Sequence, residues 1–384
     1  MYKSYEEYLL TLRNDNRYRI LNTRDIQEKH TNFLDFSTND YLNLSQNSEV
    51  IEAAIISARK YGVGATGSRL LSGNLPLYEE FEKIIARDKN TESCLLFSSG
   101  FQANISTLSC LLDEKVLRGK AIVFFDKLNH SSLYQAVFLS KAELCRYHHN
   151  DVEHLKSLME SYKNDSRPKF IVTETLFGMD GDIAPLKEIA ALATKHQAFL
   201  YLDEAHATGL FGKNGYGLST TVQLHNIPHV IMGTLSKAIG SSGGYIASNK
   251  TIIDFLINKA TGFVYSTAPS PHIIGSASKA WTMVKSLQNE RTHLQTLGTI
   301  LRTKLQEFGF DIGTSATHIV PIIFKEEKIC LQIKDALMKR EITVSCIRPP
   351  TVPHNSSRIR IALTSKHQLQ DIERLVNYLR EIIQ

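Results

Sequence analysis

AFLYLDEAHATGLFGKNGYGLSTTVQLHNIPHVIMGTLSKAIGSSGGYIAS, residues 198–248, contains three short apolar runs separated by polar and glycine-rich stretches. AFLYL ends in Asp203, HVIM in Gly233-Thr234, and GGYIA in Ser248. Apolar runs this short, without polar alternation, read as strands buried on both faces. Further out, SCLLFSS (93–99), AIVFFD (121–126) and KFIVTE (169–174) have the same texture, with helix-length amphipathic segments between them. The alternation predicts an α/β fold built on a mainly parallel sheet flanked by helices. Ligands in such sheets collect at the carboxyl ends of the strands, so the chemistry is sought where the runs stop.

Two of those ends stand out. Asp203-Glu204-Ala205-His206 follows AFLYL, and Lys237 lies in GTLSKAIGSSGGY (233–245), among the hydroxyls Thr234 and Ser236 and the glycines Gly240, Gly243 and Gly244. By itself Lys237 reads as a solvated charge, and Asp203 as a strand-end cap. Together they match the needs of pyridoxal phosphate: a Schiff-base lysine, a carboxylate for the pyridine nitrogen and a donor for the ring oxygen. DEAH also occurs as the metal-binding box of nucleic-acid helicases. That reading requires a phosphate loop, G-x-x-x-x-G-K-[ST], and Gly119-Lys120 and Gly212-Lys213 lack both its spacing and its hydroxyl. GVGATG (62–67) has the dinucleotide-loop spacing but follows a helical segment rather than a strand.

Other strand ends leave two readings open. Ser99-Gly100-Phe101 opens a helix and forms either a phosphate cradle or a plain turn. His130 after AIVFFD either stacks on a flat cofactor or caps a helix. Arg348, Arg358 and Arg360 offer forked partners for a carboxylate or form salt bridges, with at least one expected to do the latter.

The 384 residues carry a net charge of +5, which is mild for the length and gives no support for a nucleic-acid partner. Five scattered cysteines without a CxxC pair argue against a disulfide framework or metal site and for a reducing, cytoplasmic setting. The N-terminus lacks a signal peptide's apolar core, and no run approaches the ~18 apolar residues of a membrane span.

Helices are expected over 2–13, 48–61, 76–88, a long 271–308, 328–339 and 367–383, and further strands in NFLDFS, HIVPIIF, ITVSCI and RIRIAL. The expected division is an N-terminal helix and arm (1–45), a large cofactor domain (46–270) and a smaller α+β domain (271–384).

STNDYL, GATGSRLLSG, SSGFQAN, DKLNHSS, TETLFGMDGDIAPL, DEAHATGLFGKNGYG, GTLSKAIGSSGGY, YSTAPSP and IRPPTVP, in this order, resemble the α-oxoamine synthases. These are fold-type I pyridoxal-phosphate enzymes that condense an amino acid with an acyl thioester. The resemblance implies that Lys237 anchors the cofactor and acts as base. Asp203 would face the pyridine nitrogen, His206 the ring oxygen, and His130 would stack on the ring. It further implies that Gly100, Phe101 and Thr234 hold the cofactor. Tyr265, Ser266 and Thr267 would reach the neighbouring subunit's phosphate, making a homodimer with shared active sites.

IRPPTVP resembles the members that join L-alanine to a pimeloyl thioester, carried by coenzyme A or acyl carrier protein, with loss of carbon dioxide. On that resemblance Arg348 and Thr351 contact the substrate adduct, Arg19 lies near the acyl chain and Arg360 meets the amino-acid carboxylate. Siblings that use glycine with acetyl-CoA, or that make a longer-chain amino ketone, share the cofactor residues. Three positions depart from the family pattern: Gly178 for serine, Tyr78 for histidine and Asn43 for glycine.

Overall fold

The buried runs do form one sheet. In the computed structural model, which describes residues 1–21, 23 and 33–383, seven strands lie side by side. Their order across the sheet is Ser93–Phe97, Gly244–Ser248, His229–Thr234, Phe199–Asp203, Lys169–Glu174, Ile122–Asp126 and Glu143–Tyr147. Six point the same way, and Gly244–Ser248 runs against both its neighbours. The physical reason is the connection. Loop 235–243 is too short for a crossover helix, so the chain turns back as a hairpin and places Lys237 in the turn. Gly240 (φ +67°) sits where a Cβ would come within 2.3 Å of the Ser45 backbone nitrogen, and Gly243 has φ +115°.

The edge strand Glu143–Tyr147 was not expected. It carries Glu143 and Arg146 and only Tyr147 is buried, so it lacks the apolar signal of its neighbours. The helix expected over 271–308 is two helices, Pro271–Val284 and Gln288–Glu307. The break is a tight turn in which Ser286 and Leu287 bond back to Met283 and Val284, and the Arg291 guanidinium also donates to the Val284 carbonyl. Helices Ser48–Tyr61 and Pro76–Asp88 start and end where expected, the first capped by Asn47 and the second opened by proline.

The chain forms two units, neither continuous in sequence. The sheet unit comprises 40–177 and 183–291, and the terminal unit 1–39, 178–182 and 292–384. This grouping differs from the division at 45 and 270. Helix Pro271–Val284 packs on Ser48–Tyr61, where a Cβ on Gly275 would come within 1.9 Å of the Ser57 hydroxyl oxygen. In the terminal unit, Leu34–Asp35 pairs in parallel with Ile342–Thr343, and the Phe36 carbonyl accepts from Ala362 N–H. NFLDFS therefore contributes a strand of only two residues, and ITVSCI divides into Ile342–Thr343 and Ser345–Ile347. The latter joins Ser357–Ala362 and Ile319–Lys325 in an antiparallel sheet. Segment 178–182 belongs to this unit because the Gly181 carbonyl accepts from Ala316 N–H and Thr317 Oγ1.

Beneath the DEAH turn of the sheet unit lies a fully buried ion pair, Lys89 Nζ to Glu204 Oε2 at 2.5 Å. The Glu204 carboxylate also accepts from Ser219 N–H and Oγ, both at 2.7 Å. Glu204 is thus a structural member of the motif. Lys89→Met would leave this carboxylate buried without its counter-charge and should destabilise the protein by ~3–5 kcal/mol. Denaturant unfolding reads the loss, and a change under ~1 kcal/mol would be that of an exposed pair instead.

Candidate active site

In the sheet unit the carboxyl ends of four strands and their loops gather the expected residues. Asp203 closes its strand at 3% exposure, its Oδ1 accepting from Ala205 N–H at 2.9 Å and its Oδ2 from Asn104 Nδ2 at 2.8 Å. His206, at 7% exposure, stands between Tyr41 and Lys237: Nδ1 is 2.8 Å from the Tyr41 hydroxyl and Nε2 is 2.7 Å from Lys237 Nζ.

Gly100 is the first residue of helix Gly100–Leu111, whose cap Ser99 accepts from Gln102 N–H at 3.1 Å. A Cβ on Gly100 would lie 3.3 Å from the Thr234 Cβ, so glycine keeps strand and helix ends close. Buried Thr234 donates to the Gly243 carbonyl at 3.0 Å and pairs with Ser236 Oγ at 2.8 Å, closing the turn that carries Lys237.

His130 caps helix Ser131–Ser140, its Nδ1 accepting from Ser132 N–H and lying 2.7 Å from Ser132 Oγ. The capping reading therefore holds, and it leaves the ring exposed at the strand ends, with Phe101 edge-on at 6.3 Å between centroids. Partial desolvation lowers the His130 pKa, Asp203 opposes that, and the charge of Lys237 lowers it further. Ser266 Oγ accepts from Gln102 Nε2 at 2.9 Å, and Thr267 bridges to Ser68; Tyr265 is 84% exposed.

Glu174 received no role from the sequence, although it closes a buried strand as Asp203 does. The two are register partners. Burial, reinforced by the Asp203 charge and opposed by that of Lys237, pushes the Glu174 carboxyl well above the usual range. Position at a strand end was the signal that could have identified it.

In the terminal unit, Arg19 Nη2 donates to Thr351 Oγ1 at 3.0 Å across 332 residues of sequence. Arg348 donates to the carbonyls of Asn16 and Tyr18. Arg360 is 3% exposed, with Nε donating to the Gly178 carbonyl at 2.6 Å and Nη2 to Asn39 Oδ1 at 3.0 Å. Arg358 forms a salt bridge with Asp180 at 2.5 Å. Among the described residues, His148, Asp151 and His154 bring possible metal-ligand atoms within 4.8 Å of one another. Asp151 caps a helix there, and His154 Nδ1 accepts from His148 N–H.

The donor set of the sheet unit fits a pyridine ring bearing an aldehyde and a phosphate. It supplies an amine, a buried carboxylate, an imidazole and the amides of a helix start left open by glycine. The comparisons agree. Residues 31–379 match the model of the aminotransferase class I and II family. The chain belongs to that family.

Within it, the similarity is to α-oxoamine synthases. A protein of Paramagnetospirillum magneticum, provisionally named 8-amino-7-oxononanoate synthase, is 43% identical over 351 residues, covering 91% of this chain and 88% of the relative. Among solved structures, a serine palmitoyltransferase from S. paucimobilis with a bound pyridoxal phosphate–myriocin adduct is 26% identical with a TM-score of 0.84, covering 91% and 87% of the two chains. The 8-amino-7-oxononanoate synthase of Francisella tularensis is 28% identical with a TM-score of 0.78, covering 92% and 98%. The fold is that of the fold-type I enzymes, the cofactor is pyridoxal phosphate and the protein is a pyridoxal-phosphate-dependent transferase. No helix among the described residues is long and apolar enough to cross a membrane.

Proposed function

We propose that this protein condenses L-alanine with a pimeloyl thioester of coenzyme A or acyl carrier protein, releasing carbon dioxide and free thiol and forming 8-amino-7-oxononanoate, a step of biotin biosynthesis. The observation that carries the reading is the contact between Arg19 and Thr351, which the resemblance assigns respectively to the neighbourhood of the acyl chain and to the substrate adduct. The names of the relatives support it.

Bound at Lys237, the cofactor supplies an electron sink for the carbanion formed at the amino-acid α-carbon. Asp203 would set its carboxylate at the pyridine nitrogen and keep a proton there, a preorganised pair that would not need to reorganise as charge develops. Lys237 Nζ takes the α-proton, with His206 Nε2 at 2.7 Å keeping the amine oriented. His206 would also donate to the ring oxygen, and His130 would offer its exposed face to the ring. Gly100, Phe101 and Thr234 border the place of the cofactor, with Gly100 admitting the phosphate to the helix amides. Arg360 binds the substrate carboxylate, its guanidinium already held flat by Gly178 and Asn39. Arg348, Thr351 and Arg19 select the acyl group.

The working form is a cytoplasmic homodimer in which Ser266 and Thr267 serve the neighbouring subunit's phosphate. Helix Tyr2–Asn14 buries none of its residues, and Leu71 and Tyr265 are more than 80% exposed, apolar surface that a second copy would cover.

One observation favours a second reading: the structural similarity to serine palmitoyltransferases points to a synthase for a longer-chain amino ketone. The glycine and acetyl-CoA sibling shares the same cofactor residues. Thiol release by the purified holoenzyme, with alanine, glycine and serine each offered pimeloyl, acetyl and palmitoyl thioesters, separates these. Alanine with the pimeloyl thioester is expected to exceed every other pair by at least about 10-fold in kcat/KM. A preference for serine with palmitoyl, or for glycine with acetyl, would overturn the assignment.

A further inference from the structure

Asn104 is buried at 1% exposure inside helix Gly100–Leu111, a position where asparagine is a poor helix former. Its amide has partners on every side. Nδ2 donates to Asp203 Oδ2 at 2.8 Å and to Ser132 Oγ at 3.0 Å, and Oδ1 accepts from the Tyr201 hydroxyl at 2.9 Å. The orientation is unambiguous, because an ionised carboxylate can only accept and must face the NH2 group. Ser132 Oγ, having accepted from Asn104, is left to donate to His130 Nδ1 at 2.7 Å. One amide therefore ties the carboxylate and the imidazole, which come from different strand ends, to a single fixed point.

We infer that Asn104 is a positioning residue, aiming the Asp203 carboxylate directly and the His130 ring through Ser132, so that both meet the cofactor at a set spacing. The inference rests on the roles given above to Asp203 and His130. Asp203 is also faced by Glu174 and His130 through charge and by Ala205 N–H through a hydrogen bond. The Asn104 amide is the side-chain donor among these, the one whose removal frees the carboxylate to rotate. A displacement of this kind of about 1 Å costs on the order of 100-fold in rate.

The test uses reconstituted holoenzyme and reads the pH midpoint of the cofactor's visible absorption change. A proton held on the pyridine nitrogen withdraws charge from the ring and makes the lysine-linked nitrogen give up its own proton more readily. Weakening Asp203 therefore moves the midpoint to higher pH. Asp203→Asn sets the full shift; Asn104→Ala is expected to reach part of it, about one unit, with kcat falling about 10- to 100-fold and KM for alanine little changed. Tyr201→Phe, which keeps the packing but frees the amide, is expected to shift the midpoint the same way by less, and answers the question if Asn104→Ala does not fold. If Asp203→Asn shifts the midpoint but neither other variant does, Asn104 is merely structural and the inference fails while the reading of Asp203 stands. If Asp203→Asn itself shifts nothing, that reading fails and the inference fails with it.

Discussion

Lys237→Ala is expected to lower turnover by at least about 10⁴-fold and to abolish the covalent, borohydride-fixable attachment of the cofactor. The substitution should leave the fold intact. Lys237 is half-buried in the turn between two antiparallel strands, and that turn is held by backbone bonds: Leu235 N–H to Gly243, Gly240 N–H to Lys237 and Ser241 N–H to Leu235. Truncation to alanine removes the bond between Nζ and His206 Nε2 and leaves those backbone bonds in place. Loss of activity with unchanged thermal unfolding would therefore be chemical in origin. Mass spectrometry after borohydride treatment locates the attachment, and a variant still labelled at this turn and still turning over would remove Lys237 from the mechanism.

Asp203→Asn should retain the cofactor, because the lysine and the helix start are untouched, yet exchange the α-proton of alanine about 10²- to 10³-fold more slowly. The replacement preserves shape and removes charge. It also places an amide where Asn104 Nδ2 and Ala205 N–H both donate, so one of those donors loses its acceptor. Proton exchange followed by NMR isolates the step from acyl binding. Exchange at the parent rate would show that the carboxylate does not keep the pyridine nitrogen protonated.

Much of the fold could be read along the chain because it depends on patterns confined to short windows. Fully buried strands such as Ile122–Asp126 and Gly244–Ser248 have no polar face, and helices such as Ser48–Tyr61 carry their caps within them. The edge strand Glu143–Tyr147 was missed because half-exposed strands tolerate charge. The break at 285–287 was missed because no proline or glycine marks it; the N–H groups of Ser286 and Leu287 bond back to Met283 and Val284, and the distant Arg291 side chain adds a second donor at Val284. Family motifs indicated which residue types serve the cofactor, and they include Asn104, Tyr41 and Glu174, but the resemblance gave those three no role. Nothing local distinguishes a buried asparagine that links two strand ends from one that merely fills space.

By itself, the sequence determined the class of sheet, the cofactor chemistry and the pairing of Lys237 with the DEAH turn, since each is carried by a contiguous motif. Only the tertiary structure decided that Lys237 lies in a reversing turn rather than a crossover. It alone set His206 between the lysine and Tyr41, and joined segment 178–182 and the N-terminal strand to the C-terminal residues. Those outcomes depend on hydrogen bonds between positions far apart in the chain, and no window of sequence contains both partners.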